Sequence, residues 1–122
     1  MEKSVQIVLV EDDEAIRDVL VIVLQSSNYE VRVFSSAEEC IDAETKNVDL
    51  FLIDYRLPGM NGIQLCNQLK ADARTTKAPV ILLSADFYIR KKLGDCGAIS
   101  AIDKPFSRLE LLNHIDAALH PK

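Results

Sequence analysis

The chain has 122 residues, of which 48% are hydrophobic and 27% charged, with a formal net charge of -5. That length suits one domain of ordinary size with a sizeable core, and the balance excludes intrinsic disorder. The negative charge excludes the electrostatic footprint of a nucleic-acid binder, and no apolar run approaches the roughly 20 residues of a membrane helix.

The N-terminus, Met1-Glu2-Lys3-Ser4, passes straight into a short apolar run ended by acids, without the apolar core or cleavage site of a signal peptide. The chain therefore reads as cytoplasmic, with no membrane insertion. Cys40, Cys66 and Cys96 are widely spaced, contain no C-x-x-C pair and have no histidine at ligand spacing, which argues against both a disulfide framework and a zinc site. The one basic cluster, Arg90-Lys91-Lys92, is too short for a binding stripe and reads as a solvated helix face.

In chain order, the apolar run within Val5 to Val10 predicts a short buried strand that ends in Glu11-Asp12-Asp13-Glu14. Ile16, Val19, Leu20, Val23 and Leu24 then fall at helical spacing, so a helix over about 15–26 turns that face inward; Val21 and Ile22 lie off the stripe, unless the buried face is wider. Asn28-Tyr29 marks a turn, and Val31-Arg32-Val33-Phe34 a second strand. Ser36 and Glu39 have capping-box spacing for a modest helix whose Ala37, Cys40 and Ile41 form a short apolar stripe; Cys40 reads as core. Leu50 to Ile53 is a third strand, ending at Asp54 and followed by the Pro58-Gly59 and Asn61-Gly62 turn signals. Leu65, Cys66 and Leu69 define the next helix face, and Pro79 to Leu83 a fourth strand closed by Ser84-Ala85-Asp86.

The stretch Phe87 to Gly97 has no clean stripe and contains Gly94 and Gly97, so a short or imperfect helix is expected there. Ala98 to Ile102 is a small-residue strand ended by Asp103-Lys104-Pro105-Phe106. A closing helix begins at the capping-box pair Ser107 and Glu110, with Leu111, Leu112, Ile115, Ala118 and Leu119 as its apolar face. Five strand-then-helix units with continuous apolar strands imply a parallel sheet buried on both faces, joined by right-handed crossovers. In such sheets ligands sit outside the carboxyl ends of the strands.

At that edge strand one delivers Asp12-Asp13, strand three Asp54, strand four Ser84 and strand five Lys104. Each has an ordinary explanation alone: a helix N-cap, a turn residue, a solvated charge. Their convergence is the signal. Carboxylates a few ångströms apart repel by about 1 kcal/mol per pair in water and more near a protein interior, so the cluster wants a cation. Oxygen ligands without His or Cys suit a hard dication, and Mg²⁺ needs only one or two carboxylates plus phosphate oxygens. An Asp side chain is also a nucleophile for phosphoryl transfer, in which catalysis is mostly positioning and charge neutralisation. Lys104 suits a point charge on a phosphoryl oxygen and Ser84 a hydroxyl donor.

Val10-Glu11-Asp12-Asp13-Glu14, the run from Ile53 to Gly62, Leu83-Ser84-Ala85 and Asp103-Lys104-Pro105-Phe106 together resemble the signatures of response regulator receiver domains of two-component signalling, in order and over essentially the whole chain. The resemblance implies one receiver domain over 1–122 without an output domain, and a flavodoxin-like, doubly wound (βα)5 sheet of order 2-1-3-4-5. It implies that Asp54 is the phosphoacceptor, charged from a phosphohistidine of a sensor histidine kinase or phosphotransfer protein. It further implies that Asp13 and Asp54 are side-chain ligands of Mg²⁺ (or Mn²⁺), with the Arg56 carbonyl as a third and Asp12 acting mainly through water. Lys104 is then the phosphoryl contact, Ser84 the switch hydroxyl, Pro105 the residue after a cis bond, and Arg56 and Asp86 occupy positions that tune phosphoryl lifetime. The implied output is regulation of a downstream protein, by a monomer or a phosphorylation-dependent dimer, without direct nucleic-acid binding.

Three departures accompany the resemblance. Ala101 stands where the family usually has an aromatic readout residue, the interval from Ser84 to Lys104 is about two residues short, and Asn61 replaces the frequent acid before Gly62. Two alternatives stay open at this point: a pseudo-receiver interaction module that signals without phosphorylation, and a small phosphatase with an aspartyl nucleophile. The latter lacks a second acid two residues after Asp54, where Arg56 sits. His114 and His120 read as surface histidines.

Overall fold

The structure, a computed structural model, describes residues 4–85 and 96–121. Its elements run β1 (Gln6–Val10), α1 (Glu14–Ser26), β2 (Glu30–Phe34), α2 (Ala37–Asp42), β3 (Leu50–Asp54), α3 (Gly62–Ala71), β4 (Val80–Ser84), β5 (Ser100–Asp103) and α4 (Arg108–Leu119). All four strand pairings are parallel and the sheet order is β2-β1-β3-β4-β5. This is the doubly wound arrangement expected from the alternation of apolar strands and amphipathic helices. Asp86 and most of the expected irregular helix between Phe87 and Gly97 lie outside the described residues; Cys96 and Gly97 form a turn.

Every residue of β3 and of β4 is buried, as befits central strands of a sheet covered on both faces. Side chains alternate along each strand, so the core divides in two. On one face Val8, Val10, Phe51, Ile53, Val80, Leu82 and Ala101 pack with α2 and α3 through Ala37, Cys40, Leu65, Cys66 and Leu69. On the other, Ile7, Leu9, Leu50, Leu52, Ile81, Leu83 and Ile102 meet Leu20 and Leu24 of α1 and Leu111, Ile115 and Ala118 of α4. The three cysteines are buried free thiols. Burial pushes Cys40 up to about 11; burial, and then the hydrogen-bonded Cys96 thiol beside it, push Cys66 up to about 12.

Two helices depart from expectation. In α1, Leu20 and Leu24 are buried and Val23 packs against the core as expected, but Val19 is 60% and Ile16 36% exposed, and Val21 packs against the core in their place. The run from Val19 to Leu24 is apolar without interruption, so periodicity does not define its phase; the inward face is rotated toward Val21. At α2, Ser36 does accept from the Glu39 N–H at 3.1 Å, but the Glu39 carboxylate turns back to the N–H and hydroxyl of Ser35 instead of closing the box on Ser36. The box at α4 forms in both directions, and so does one at α3 between Asn61 and Gln64, which the turn-like Asn61-Gly62 had masked in the sequence.

Candidate functional site

The chain leaves β1 for β2 on one side and returns through β3 toward β4 and β5 on the other, so the carboxyl ends of β1 and β3 flank the switch point of the sheet. Register brings the acids together there: Val10 pairs with Ile53, which sets the residue after Val10 against Asp54. Ligand oxygens of Glu11, Asp12 and Asp54 all lie within 4.8 Å of one another. Glu11 and Asp54 are buried, at 0% and 5% exposure, and Asp12 is exposed. Lys104, at the end of β5, donates from Nζ to Asp54 Oδ2 at 2.9 Å and to Glu11 Oε1 at 3.3 Å. Its backbone is fixed by the Lys104 N–H donating to the Ser84 carbonyl at 2.8 Å, and the Lys104-Pro105 bond is cis.

Electrostatics follow from burial. Desolvation first, then the hydrogen bond to Asp54 and its charge, push the Glu11 carboxyl up to about 7, against the opposing pull of Lys104. For Lys104 burial disfavours the charge, but the hydrogen bond and charge of Asp54, followed by those of Glu11, outweigh it and hold the ammonium above its ordinary range. Among the described residues no buried side-chain nitrogen or oxygen lacks a hydrogen-bond partner.

The expected residues separate into those that converge and those that do not. Asp12, Asp54 and Lys104 meet, and Ser84 is buried at the end of β4 beside them in the sheet. Asp13 is placed differently from its expected part as a ligand: it is the N-cap of α1, and its Oδ1 accepts from the Ile16 N–H at 3.1 Å. The carboxylate facing Asp54 instead is Glu11. β1 ends at Val10, as the sequence suggests, and the first acid after it, Glu11, turns into the site. The only sequence signal for Glu11 is its place immediately after the apolar strand.

The loop after Asp54 is built from its own backbone. Asp54 Oδ1 accepts the Arg56 N–H at 3.1 Å, and the Gly62 N–H donates to the Tyr55 carbonyl at 2.9 Å. A Cβ on Gly62 would stand 2.6 Å from the Asp54 carbonyl oxygen, so only glycine permits α3 to start this close to β3. The Arg56 side chain is exposed. With Asp12, Tyr55, Leu57, Pro58 and Asn61, Arg56 lines an open cleft of about 550 Å³ at the rim of the acidic cluster. The donor set is oxygen only and anionic, which fits a hard dication such as Mg²⁺, with Asp12 open to solvent on the cleft side.

Comparison with known proteins agrees with this architecture. The uncharacterized transcriptional regulatory protein YkoG of Bacillus subtilis is 40% identical over 123 residues, which cover 98% of this chain and 52% of that protein. The chain spans about half the length of the curated relatives it matches. A putative response regulator from Chloroflexus aurantiacus superposes with a TM-score of 0.90 at 28% identity, covering 96% of this chain and 98% of the other. The receiver domain of the sensor histidine kinase PA1611 from Pseudomonas aeruginosa, solved with a magnesium ion coordinated in its active site cleft, gives 0.86 at 27% identity, with the same coverage of both chains. The family model of the response regulator receiver domain matches residues 7–116, and the chain belongs to that family.

Proposed function

We propose that this domain takes a phosphoryl group onto Asp54 from a phosphohistidine of a sensor histidine kinase or a histidine phosphotransfer protein, and that the modified domain regulates a protein partner. An Asp54 carboxylate oxygen attacks phosphorus, the phosphorus–nitrogen bond of the donor breaks, and the departing imidazole takes a proton from solvent. The product is an aspartyl phosphate. Residues 1–122 act here as one receiver unit, stoichiometric in phosphoryl group.

The observation that supports this reading most is the Lys104 ammonium 2.9 Å from Asp54 Oδ2, inside a cluster of three carboxylates. Lys104 holds the nucleophile and is placed to shift onto a phosphoryl oxygen as that charge arrives. Asp12, Asp54 and the Arg56 carbonyl are the groups that would hold Mg²⁺, with Glu11 adding charge behind them. Bound there, the ion would neutralise the carboxylates and the incoming phosphoryl oxygens. Ser84, buried at the end of β4, is the hydroxyl donor for the product.

A protein donor also needs a place to dock. Ala15, Ile16, Val19, Leu20 and Phe106 line a wholly apolar recess of about 320 Å³, formed by α1, which follows the acid run after β1, and the loop that follows Lys104. Peptide mapping after incubation with a small phosphoramidate and Mg²⁺ tests the proposal. A phosphoryl group on the peptide containing Asp54, lost in Asp54→Asn, supports it; labelling unaffected by Asp54→Asn rejects it.

A further inference from the structure

The loop from Tyr55 to Asn61 carries the Arg56 carbonyl, and its backbone amides are held mostly from within. The Arg56 N–H goes to Asp54, the Asn61 N–H to Gln64 Oε1 at 2.9 Å and the Gly62 N–H to Tyr55, all parts of β3, the loop or α3. Two amides reach outside that unit: the Tyr55 N–H continues the sheet ladder to the Leu83 carbonyl at 2.8 Å, and the Met60 N–H goes to a side chain. The latter donates at 3.1 Å to Glu38 Oε2, on α2 and 22 residues earlier in the chain. The same carboxylate oxygen lies 2.8 Å from the point where a Cβ on Gly59 would stand, and Gly59 has φ +75°. The loop apex thus lacks a side chain where Glu38 rests, and its backbone is in the left-handed region that glycine tolerates.

Glu38 is itself anchored. It sits in the first turn of α2, whose N-terminus is capped by Ser36 and whose Ala37 and Cys40 are buried against the sheet. A carboxylate accepting a backbone N–H is a charge-assisted bond, stronger than its neutral counterpart. Among the described residues it is the one side chain from outside the β3–loop–α3 unit that hydrogen-bonds the loop backbone.

We infer that Glu38 is a positioning residue: by holding the Met60 N–H and lying against Gly59 it fixes the loop that presents the Arg56 carbonyl, and so sets the affinity of the site for a divalent cation. The inference rests on the metal site proposed above. It couples α2, at the far side of the loop, to the acidic edge through one hydrogen bond.

Calorimetric titration of the metal-free protein with Mg²⁺ tests it, together with hydrogen exchange at the Met60 amide. Glu38→Ala is expected to weaken Mg²⁺ binding about three- to tenfold and to speed Met60 exchange; the loss lies at or below the low end for outer partners of metal ligands because Glu38 is exposed and acts on the loop, not on a ligand side chain. Glu38→Gln keeps an acceptor oxygen and is expected to bind within about twofold of the parent. Should Glu38→Ala fail to fold, Gly59→Ala serves instead: its Cβ displaces Glu38 and strains the loop, and it is expected to lose the same affinity. Unchanged binding in Glu38→Ala, or equal losses in the alanine and glutamine variants, overturns the inference. If the parent protein itself binds no Mg²⁺, the metal site fails and this inference with it, an outcome distinct from a parent that binds as tightly as Glu38→Ala.

Discussion

Glu11 is the residue at which burial and function pull hardest in opposite directions. Its carboxyl is raised from 4.5 to about 7, by burial first and by Asp54 second. A raised acid binds more protons in the folded state than in the unfolded one between those two values. Its contribution to stability is therefore fully present below about 4.5 and is lost as pH rises through about 7. Glu11→Gln cannot titrate, so the difference in denaturation midpoint between metal-free parent and variant should move against the parent across that window. Parallel pH profiles would contradict the assignment. The neighbouring acids are separated by a second pair of substitutions. Asp13→Ala removes a helix cap and should cost about 1 kcal/mol of stability while leaving Mg²⁺ affinity within about twofold. Asp12→Ala should do the reverse, weakening Mg²⁺ binding by about tenfold or more with little loss of stability. Sequence alone singles out Asp12 and Asp13 and passes over Glu11, because in an uninterrupted run from Glu11 to Glu14 nothing marks which acid turns inward, and a buried Glu is against the general trend.

At the scale of elements, α1 shows both what periodicity conveys and where it stops. Its existence and limits were legible from the acid run and the apolar residues that follow; which acid caps it was not. Nor was its phase, because six consecutive apolar residues from Val19 to Leu24 fit more than one inward face. The structure buries Leu20 and Leu24 and leaves Ile16, Val19 and Ile22 exposed. An exposed apolar stripe beside the acidic edge suits a helix of a protein donor. Val19→Asp should then change stability by less than about 1 kcal/mol, since the side chain is 60% exposed. Phosphoryl transfer from a phosphohistidine protein should fall about tenfold, as loss of one interface anchor does, while uptake from a small phosphodonor stays at the parent rate. Equal loss with both donors would place Val19 in folding or in the site itself. The strands were easier to read: runs such as Leu50–Ile53 and Pro79–Leu83 are apolar because both faces of a parallel sheet are covered.

For the whole molecule, one topological fact does most to position the chemistry. Parallel strands deliver their carboxyl ends to a single edge, so residues as distant in sequence as Glu11 and Lys104 come within 3.3 Å. That convergence was legible because it depends only on strand direction, and the resemblance to receiver domains read from four short motifs agrees with the family match over 7–116. The Glu38 to Met60 bond was not legible, since an exposed Glu on a short helix carries no mark in the sequence of the loop it will meet. Ala101, buried in the core beside α3, leaves no aromatic at that position to turn. Intact mass after incubation with a small phosphodonor should show one added phosphoryl group in the parent with Mg²⁺, and none after chelation of the metal or in Asp54→Ala. A parent that gains no mass, or an Asp54→Ala protein that gains as much, would rule out Asp54 as the nucleophile.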